Sequence, residues 1–166
     1  MQFSAFPETK PLLPKDPFAR ARTRLVIDHI SKNIVAVFFK LVQSQEEDKQ
    51  AEARQTFIDG LKKFVNDSLD GSISKNGFWA GSDISLADIA LIPFLMRLYI
   101  LEEHRGFKKE DVGSDFVKYF EKVTNLDSVK RTTSDKEHYA EIYGRYLRNE
   151  AQSEAAKATR SGSAIP

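Results

Sequence analysis

Apolar residues recur at helical spacing along most of the chain. Nowhere do they alternate with the period of two that a half-buried strand requires. A first run carries Phe18, Ala21, Leu25, Ile30, Ile34, Val37, Phe38 and Leu41. Asp16 ahead of it suits an N-cap, and Pro17 suits the first helical position. A polar break from Gln43 to Gln50 separates it from a second run, Phe57, Ile58, Leu61, Phe64 and Val65. Asp70-Gly71-Ser72 and Lys75-Asn76-Gly77 read as a loop, and Phe78-Trp79 as large anchors beneath the next helix. A short helix with Phe116, Tyr119, Phe120 and Val123 inward follows Gly106. A further helix, from about Ser134 to Asn149, carries Tyr139, Ile142, Tyr143, Tyr146 and Leu147. The predicted class is all-α, with residues 1–16 as an extended connector and 17–151 as one helical domain. Residues 152–166, rich in Ala and Ser, are expected to be a disordered tail.

The strongest local signal is Ile84-Ser85-Leu86-Ala87-Asp88-Ile89. Ser85 can accept the Asp88 N–H while the Asp88 carboxylate reaches back to the Ser85 N–H, which satisfies two orphan donors at once. Ile84 and Ile89 stand where a hydrophobic staple would close over that turn. The helix that follows, through Leu101, is apolar almost all the way round, so other helices should enclose it. Pro93 interrupts it, removes the bond to the Ile89 carbonyl and should bend the axis.

Composition narrows the function classes. The 166 residues suffice for one domain, 41% are apolar, and 25 Lys+Arg against 24 Asp+Glu leave a formal charge of +1. That balance offers no electrostatic case for nucleic acid or an anionic membrane. Four of the six prolines fall within residues 1–17, which excludes regular structure there. With no cysteine, a disulfide frame, a thiolate metal site and a cysteine nucleophile in this chain are all excluded. No signal peptide or membrane-spanning run is evident, so a cytoplasmic protein is expected.

Little catalytic chemistry stands out. His29, His104 and His138 are too scattered for a metal-ligand spacing, and no metal is expected. The acidic pairs at Glu46-Glu47-Asp48 and Glu102-Glu103 read as solvated faces, and no serine elbow or phosphate loop occurs. Two features remain. Arg97 stands in an apolar helix, so its charge needs solvent, a carboxylate or an anionic ligand; a salt bridge to a neighbouring helix is the expected arrangement. Tyr139, Tyr143 and Tyr146 form a phenol-rich face that serves either as core or as a ligand wall.

Gly81-Ser82-Asp83-Ile84-Ser85-Leu86-Ala87-Asp88 resembles the helix-start signature of the C-terminal domain of cytosolic glutathione transferases. Pro11-Leu12-Leu13-Pro14-Lys15-Asp16-Pro17-Phe18-Ala19-Arg20-Ala21 is similar to the interdomain connector and first helix of the omega-like class. Phe78-Trp79-Ala80-Gly81 and Pro93-Phe94-Leu95-Met96-Arg97-Leu98 resemble that class's aromatic–glycine segment and its proline-containing central helix. The likeness runs over about residues 7–150 with its motifs in order.

The resemblance implies a bundle of about five to six helices that supplies the wall of an electrophile pocket and much of a dimer interface. It places Arg97 and aromatics of the last helix at that pocket. Tyr139 or His138, together with Tyr146, are the matching positions, with a one-residue offset left open; Tyr143 enters by helical spacing alone. Family members also carry an N-terminal thioredoxin-like domain that binds glutathione and, in this class, supplies the catalytic cysteine. Met1 lies a few residues before the connector, and Phe6-Pro7-Glu8-Thr9-Lys10 resembles that domain's end. The chain therefore reads as a truncated helical half, with no catalytic residue, inactive alone, and with glutathione expected only beside the missing domain. The alternative is a non-catalytic interaction module, a homodimer or docking partner acting through its first two helices.

Overall fold

A computed structural model describes residues 10–163, and within them the fold is all-helical. One isolated bridge joins Phe78 to Gly81, and there is no strand among the described residues. The connector's first nine residues lie outside the described part, as does its resemblance to a preceding domain. The remainder, 10–16, is irregular, and the Leu12 carbonyl accepts the N–H of Leu86 at 2.8 Å.

Helix α1 (Pro17–His29) starts as its sequence predicts, with the Asp16 carboxylate accepting the Ala19 N–H at 2.7 Å. It passes through one π-helical segment, Ile30–Val35, into α2 (Ala36–Gln43). The widened segment has a packing reason. Val26, Ile30, Ile34 and Phe38 are all buried, and they lie four residues apart. On an ideal α-helix a step of four drifts ~40° around the axis. Wider π hydrogen bonds, such as Ala36 N–H to Ser31 carbonyl, offset that drift and keep the stripe on the core. Phe18 and Leu25, predicted on the same apolar run, fall off this stripe and are 72% and 71% exposed.

The π segment approaches α3 (Glu47–Asn66) closely. Gly60 permits this, because a Cβ there would meet the Asn33 carbonyl oxygen at 2.9 Å. His29 bridges the same contact: its Nε2 donates to the Gly60 carbonyl at 3.0 Å and its Nδ1 accepts from the Asn33 amide at 3.1 Å.

A short α4 (Ser72–Asn76) leads to Phe78 and Trp79, both buried as expected. The central helix is split. α5 (Leu86–Leu95) ends two residues after Pro93, and α6 (Leu98–Arg105) restarts beyond Met96 and Arg97. Pro93 is exposed, so its ring faces outward, and the helix continues past it. The break falls where bonding tightens from Met96 N–H to Ile92 carbonyl to Arg97 N–H to Phe94 carbonyl. α7 (Ser114–Thr124), a short α8 (Asp127–Thr132) and α9 (Lys136–Leu147) follow, with α5 lying against α1, the π segment and α7.

The tail departs from expectation. Residues 154–161 form α10 (Glu154–Ser161), which packs on α2 and buries Ala156, while Ala151 is buried just before it. Ser153 caps it through the Ala156 N–H, and Arg160 donates to the Ala151 carbonyl at 2.7 Å. The small alanines that suggested disorder are what let this helix sit close to α2. Residues 164–166 lie outside the described part.

The capping box at Ser85 and Asp88 is present and reaches further than the helix it starts. Asp88 is fully buried. Its Oδ2 accepts from the Ser85 N–H at 2.8 Å and the Ser85 hydroxyl at 2.6 Å, and its Oδ1 accepts from the Trp79 N–H and the Tyr119 hydroxyl, each at 3.0 Å. Ile84 is half-buried against the core, whereas Ile89 is 38% exposed, so the far half of the expected staple faces outward. Burial pushes the Asp88 pKa up against the opposing pull of its four donors, and it pushes the Tyr119 phenol well above its ordinary value, keeping it a neutral donor.

A second tie sets the far end of the molecule. Arg105 donates to the carbonyls of Leu41 (3.0 Å), Val42 (2.6 Å) and Leu147 (3.0 Å), joining the C-termini of α2 and α9 to that of α6. Cations favour helix C-termini, where unpaired carbonyls concentrate. Gln45 reinforces α9 with a bond to the same Leu147 carbonyl at 2.9 Å.

Two predictions follow from these ties. Asp88→Ala leaves buried donors without an acceptor and should cost on the order of 3 kcal/mol or more in chemical denaturation. Because the folded pKa of Asp88 is raised, its contribution is full below the unfolded value near 3.8 and is lost as pH rises through the folded one. The stability advantage of the natural protein over Asp88→Asn should therefore shrink on raising the pH; a widening gap would mean a depressed pKa. Arg105→Ala should cost roughly 2–3 kcal/mol and speed amide exchange in the last turn of α9 more than in α7. Equal effects on both helices would remove the clamp.

Candidate functional site

The candidate residues meet where α2, the α5–α6 break and α9 converge. Phe38 and Phe39 follow one another on α2, so their side chains diverge by about a quarter turn. Phe38 is fully buried in the core and Phe39 half-buried beside it. Phe39 lies parallel to Tyr143 at 6.5 Å, 5.5 Å from Tyr146 and 6.2 Å from Phe94. Tyr139 meets Tyr143 edge-on at 6.4 Å, and Tyr143 lies 5.7 Å from Tyr146. Offset and edge-on aromatic contacts of this kind add about 0.5–1.5 kcal/mol each beyond area burial. The result is a continuous aromatic wall carried by three helices.

Arg97 closes one end. The break between α5 and α6 releases it from regular helix, and its guanidinium lies 4.7 Å from the Tyr139 ring centroid and 5.8 Å from that of Phe94. The expected salt bridge does not form: no carboxylate among the described residues pairs with Arg97, and its Nε is buried without a hydrogen-bond partner. The break turns the side chain onto aromatic faces, where cation–π attraction replaces a carboxylate.

Arg97 also tunes its neighbours. Burial raises the Tyr139 phenol pKa, but Ser134 and Arg97 oppose it and the net shift is downward. Tyr143 is more deeply enclosed, and burial pushes its phenol up to about 12 despite Arg97. Tyr99, at the start of α6, is raised chiefly by burial, and its hydroxyl has no hydrogen-bond partner.

Of the two candidate positions on α9, one lies beside Arg97. Tyr139 faces Arg97, whereas His138 is exposed on another side of the helix. There it lines a separate depression of about 420 Å³ with Glu141, Ile142, Arg145 and Tyr146. Ile142, expected inward, is 54% exposed on that side. Tyr146 reaches both surfaces: its ring closes the wall, and its hydroxyl bonds Ser153 at 2.7 Å. Ser85, Asp88, Ile84 and Ile89 serve the start of α5 and take no part in the wall.

Sequence reading missed Phe39, Phe94 and Tyr99. Phe39 sits next to a core residue and Phe94 next to a proline, and neither position marks which side chain looks toward α9. No group of three His, Cys, Asp or Glu residues placed to hold a metal occurs among the described residues. No helix among them is long and apolar enough to cross a membrane.

Residues 47–122 match the family described as Glutathione S-transferase, C-terminal domain. The chain is 30% identical over 134 residues to a probable glutathione S-transferase, parA, of Nicotiana tabacum, covering 81% of this chain and 57% of the relative. It is 28% identical over 132 residues to glutathione S-transferase U19 of Arabidopsis thaliana, covering 80% and 58%. Among solved structures it resembles glutathione transferase Omega 3C from Trametes versicolor, with TM-score 0.78 and 48% identity over 92% of this chain and 63% of that one. A rice GST1 structure in complex with glutathione shares the fold, with TM-score 0.75 and 22% identity over 90% of this chain and 67% of that one. The chain thus spans little more than half the length of the curated relatives it matches. The helical architecture, the capped α5 within the matched residues and these likenesses agree: residues 47–122 match a glutathione S-transferase C-terminal domain, and the described helices share its fold.

Proposed function

We propose that this domain is the electrophile-binding half of an omega-like glutathione transferase, and that the wall of Phe39, Phe94, Tyr139, Tyr143 and Tyr146 receives the substrate's apolar body. The carrying observation is that wall with an unpaired Arg97 at one end. The 48% identity to the Trametes omega structure supports the class over the plant relatives at about 30%. Apolar and aromatic surfaces bearing a few placed polar groups suit small ligands. The same residues do not suit glutathione, whose two carboxylates and amine need several charged and backbone partners. Glutathione and the reacting thiol are assigned to a thioredoxin-like domain, since this chain holds no cysteine, and the chain alone should turn over no glutathionylated substrate. Its own residues orient the ligand and exclude water from one side of it.

A second reading, a homodimer or docking module, draws on α1. Phe18 and Leu25 stand one heptad apart and largely exposed, on one face of the first helix.

Two measurements test these readings. Calorimetric titration of the 166-residue chain with 2-naphthamide, a neutral bicyclic probe, should give saturable binding that Phe39→Leu and Tyr146→Leu each weaken about three- to tenfold. Unchanged affinity in both variants would remove the wall as the binding surface. Light scattering across a dilution series should show self-association that Phe18→Ser with Leu25→Ser abolishes, if the second reading holds; a monomer at every concentration would count against it.

A further inference from the structure

Beside the aromatic wall, a cavity of about 280 Å³ opens at the α5–α6 break. Met96, Tyr99 and Tyr139 form its apolar side, and the α8–α9 turn, Lys130 and Thr133 to Lys136, forms the rest. Three cations gather around it. The Lys136 ammonium sits 4.5 Å from the Tyr99 ring centroid, the Arg97 guanidinium sits over Tyr139, and Lys130 lines the opening. No ion pair among the described residues includes Arg97, Lys130 or Lys136.

Three acids stand nearby, none of them in direct contact with these cations. Asp135 lines the cavity, and Glu103 and Glu137 stand close enough to act on Tyr99, but no ion pair links any of them to the three cations. Buried polar atoms are left over as well: the Arg97 Nε and the Tyr99 hydroxyl both lack a partner. A half-buried guanidinium in this condition gives up hydration without recovering it from the protein. Aromatic faces supply part of the compensation through cation–π contact, but they leave the N–H donors free to take an anion.

A planar ring would lie against the apolar side formed by Met96, Tyr99 and Tyr139, where an acid group can reach Lys136 and the neighbouring Arg97. The volume suits a ligand of one or two rings. We propose that this cavity selects aromatic ligands bearing a carboxylate or sulfonate over their neutral counterparts, with Arg97 and Lys136 receiving the anion. The proposal rests on the reading of the adjoining wall as the ligand site and names the substrate class that site prefers. Carboxylate and sulfonate share the chemistry the cations recognise, and a guanidinium pairs with the planar carboxylate in two parallel bonds.

Calorimetry on the full chain compares 2-naphthoate, 2-naphthalenesulfonate and the neutral 2-naphthamide. Both anions should bind about tenfold more tightly than the amide at low salt, with the advantage shrinking as salt rises. Arg97→Gln with Lys136→Gln should bring the anion and amide dissociation constants within about twofold of each other, whereas Arg97→Lys, which keeps the charge, should retain most of the preference. Denaturation curves confirm that each variant is folded. Equal binding of anion and amide by the natural protein would overturn this proposal and leave the wall reading intact. An anion preference that survives the double glutamine variant would also overturn it. If none of the three probes binds, the wall reading fails and this proposal falls with it.

Discussion

Burying the Asp88 carboxylate is the constraint on which the rest of the bundle turns. An ionised carboxyl in a core is costly unless its lone pairs are filled, and here four donors fill them from three separate stretches of chain. Ser85 supplies the local pair, Trp79 brings in the loop ahead of α5, and Tyr119 brings in α7. The Trp79 indole then donates to the Phe64 carbonyl at 3.1 Å, which extends the network to the end of α3. One acid therefore sets where the central helix begins and which neighbours surround its first turn. Its energetic return is specificity: no partner in the network can shift without leaving a buried donor unmet.

At the opposite end the organising charge is Arg105, and the logic is inverted. There the unmet groups are carbonyls at helix ends, and one guanidinium with its rigid fork answers three of them. By holding the last turn of α9 against α2, it fixes the register in which Tyr143 and Tyr146 meet Phe39. Between these two ties the chain breaks helix at Met96 and Arg97. The break is what lets a charged residue in an apolar helix leave the core and lie over Tyr139. Anchored helices on either side thus position an unpaired cation beside an aromatic wall, a combination suited to ligand capture.

Much of this was legible from residues close in sequence. The capping box at Ser85 and Asp88, the cap at Asp16, the Phe78-Trp79 anchors and the tyrosines of α9 all follow from contacts spanning one or two turns. Expectations failed where the outcome hung on a distant partner. Arg97 was expected in a salt bridge, because a charge in an apolar helix normally finds a carboxylate, and nothing in its own helix announces that Tyr139 lies there instead. Leu25 and Ile142 fit helical periodicity yet stand exposed, because periodicity ranks faces without saying which neighbour covers them. Residues 154–161 read as a tail because alanine and serine bury little area alone, yet the closeness of α2 makes small residues suitable for packing.

The sequence by itself determined the class of the fold, the start of the central helix and the residue types available to a ligand site. These depend on spacing and on hydrogen bonds between residues three or four apart. It did not determine the site's composition. Only the tertiary structure decided that Tyr139 and not His138 meets Arg97, that Phe39 and Phe94 complete the wall, and that Lys136 lies over Tyr99 at the cavity beside it. The contacts responsible join distant positions, such as Arg105 to Leu147 across 42 residues and Gln45 to Leu147 across 102. At that separation the local pattern constrains each helix's apolar face, while the rotation and placement of one helix against another are set by how all of them pack together.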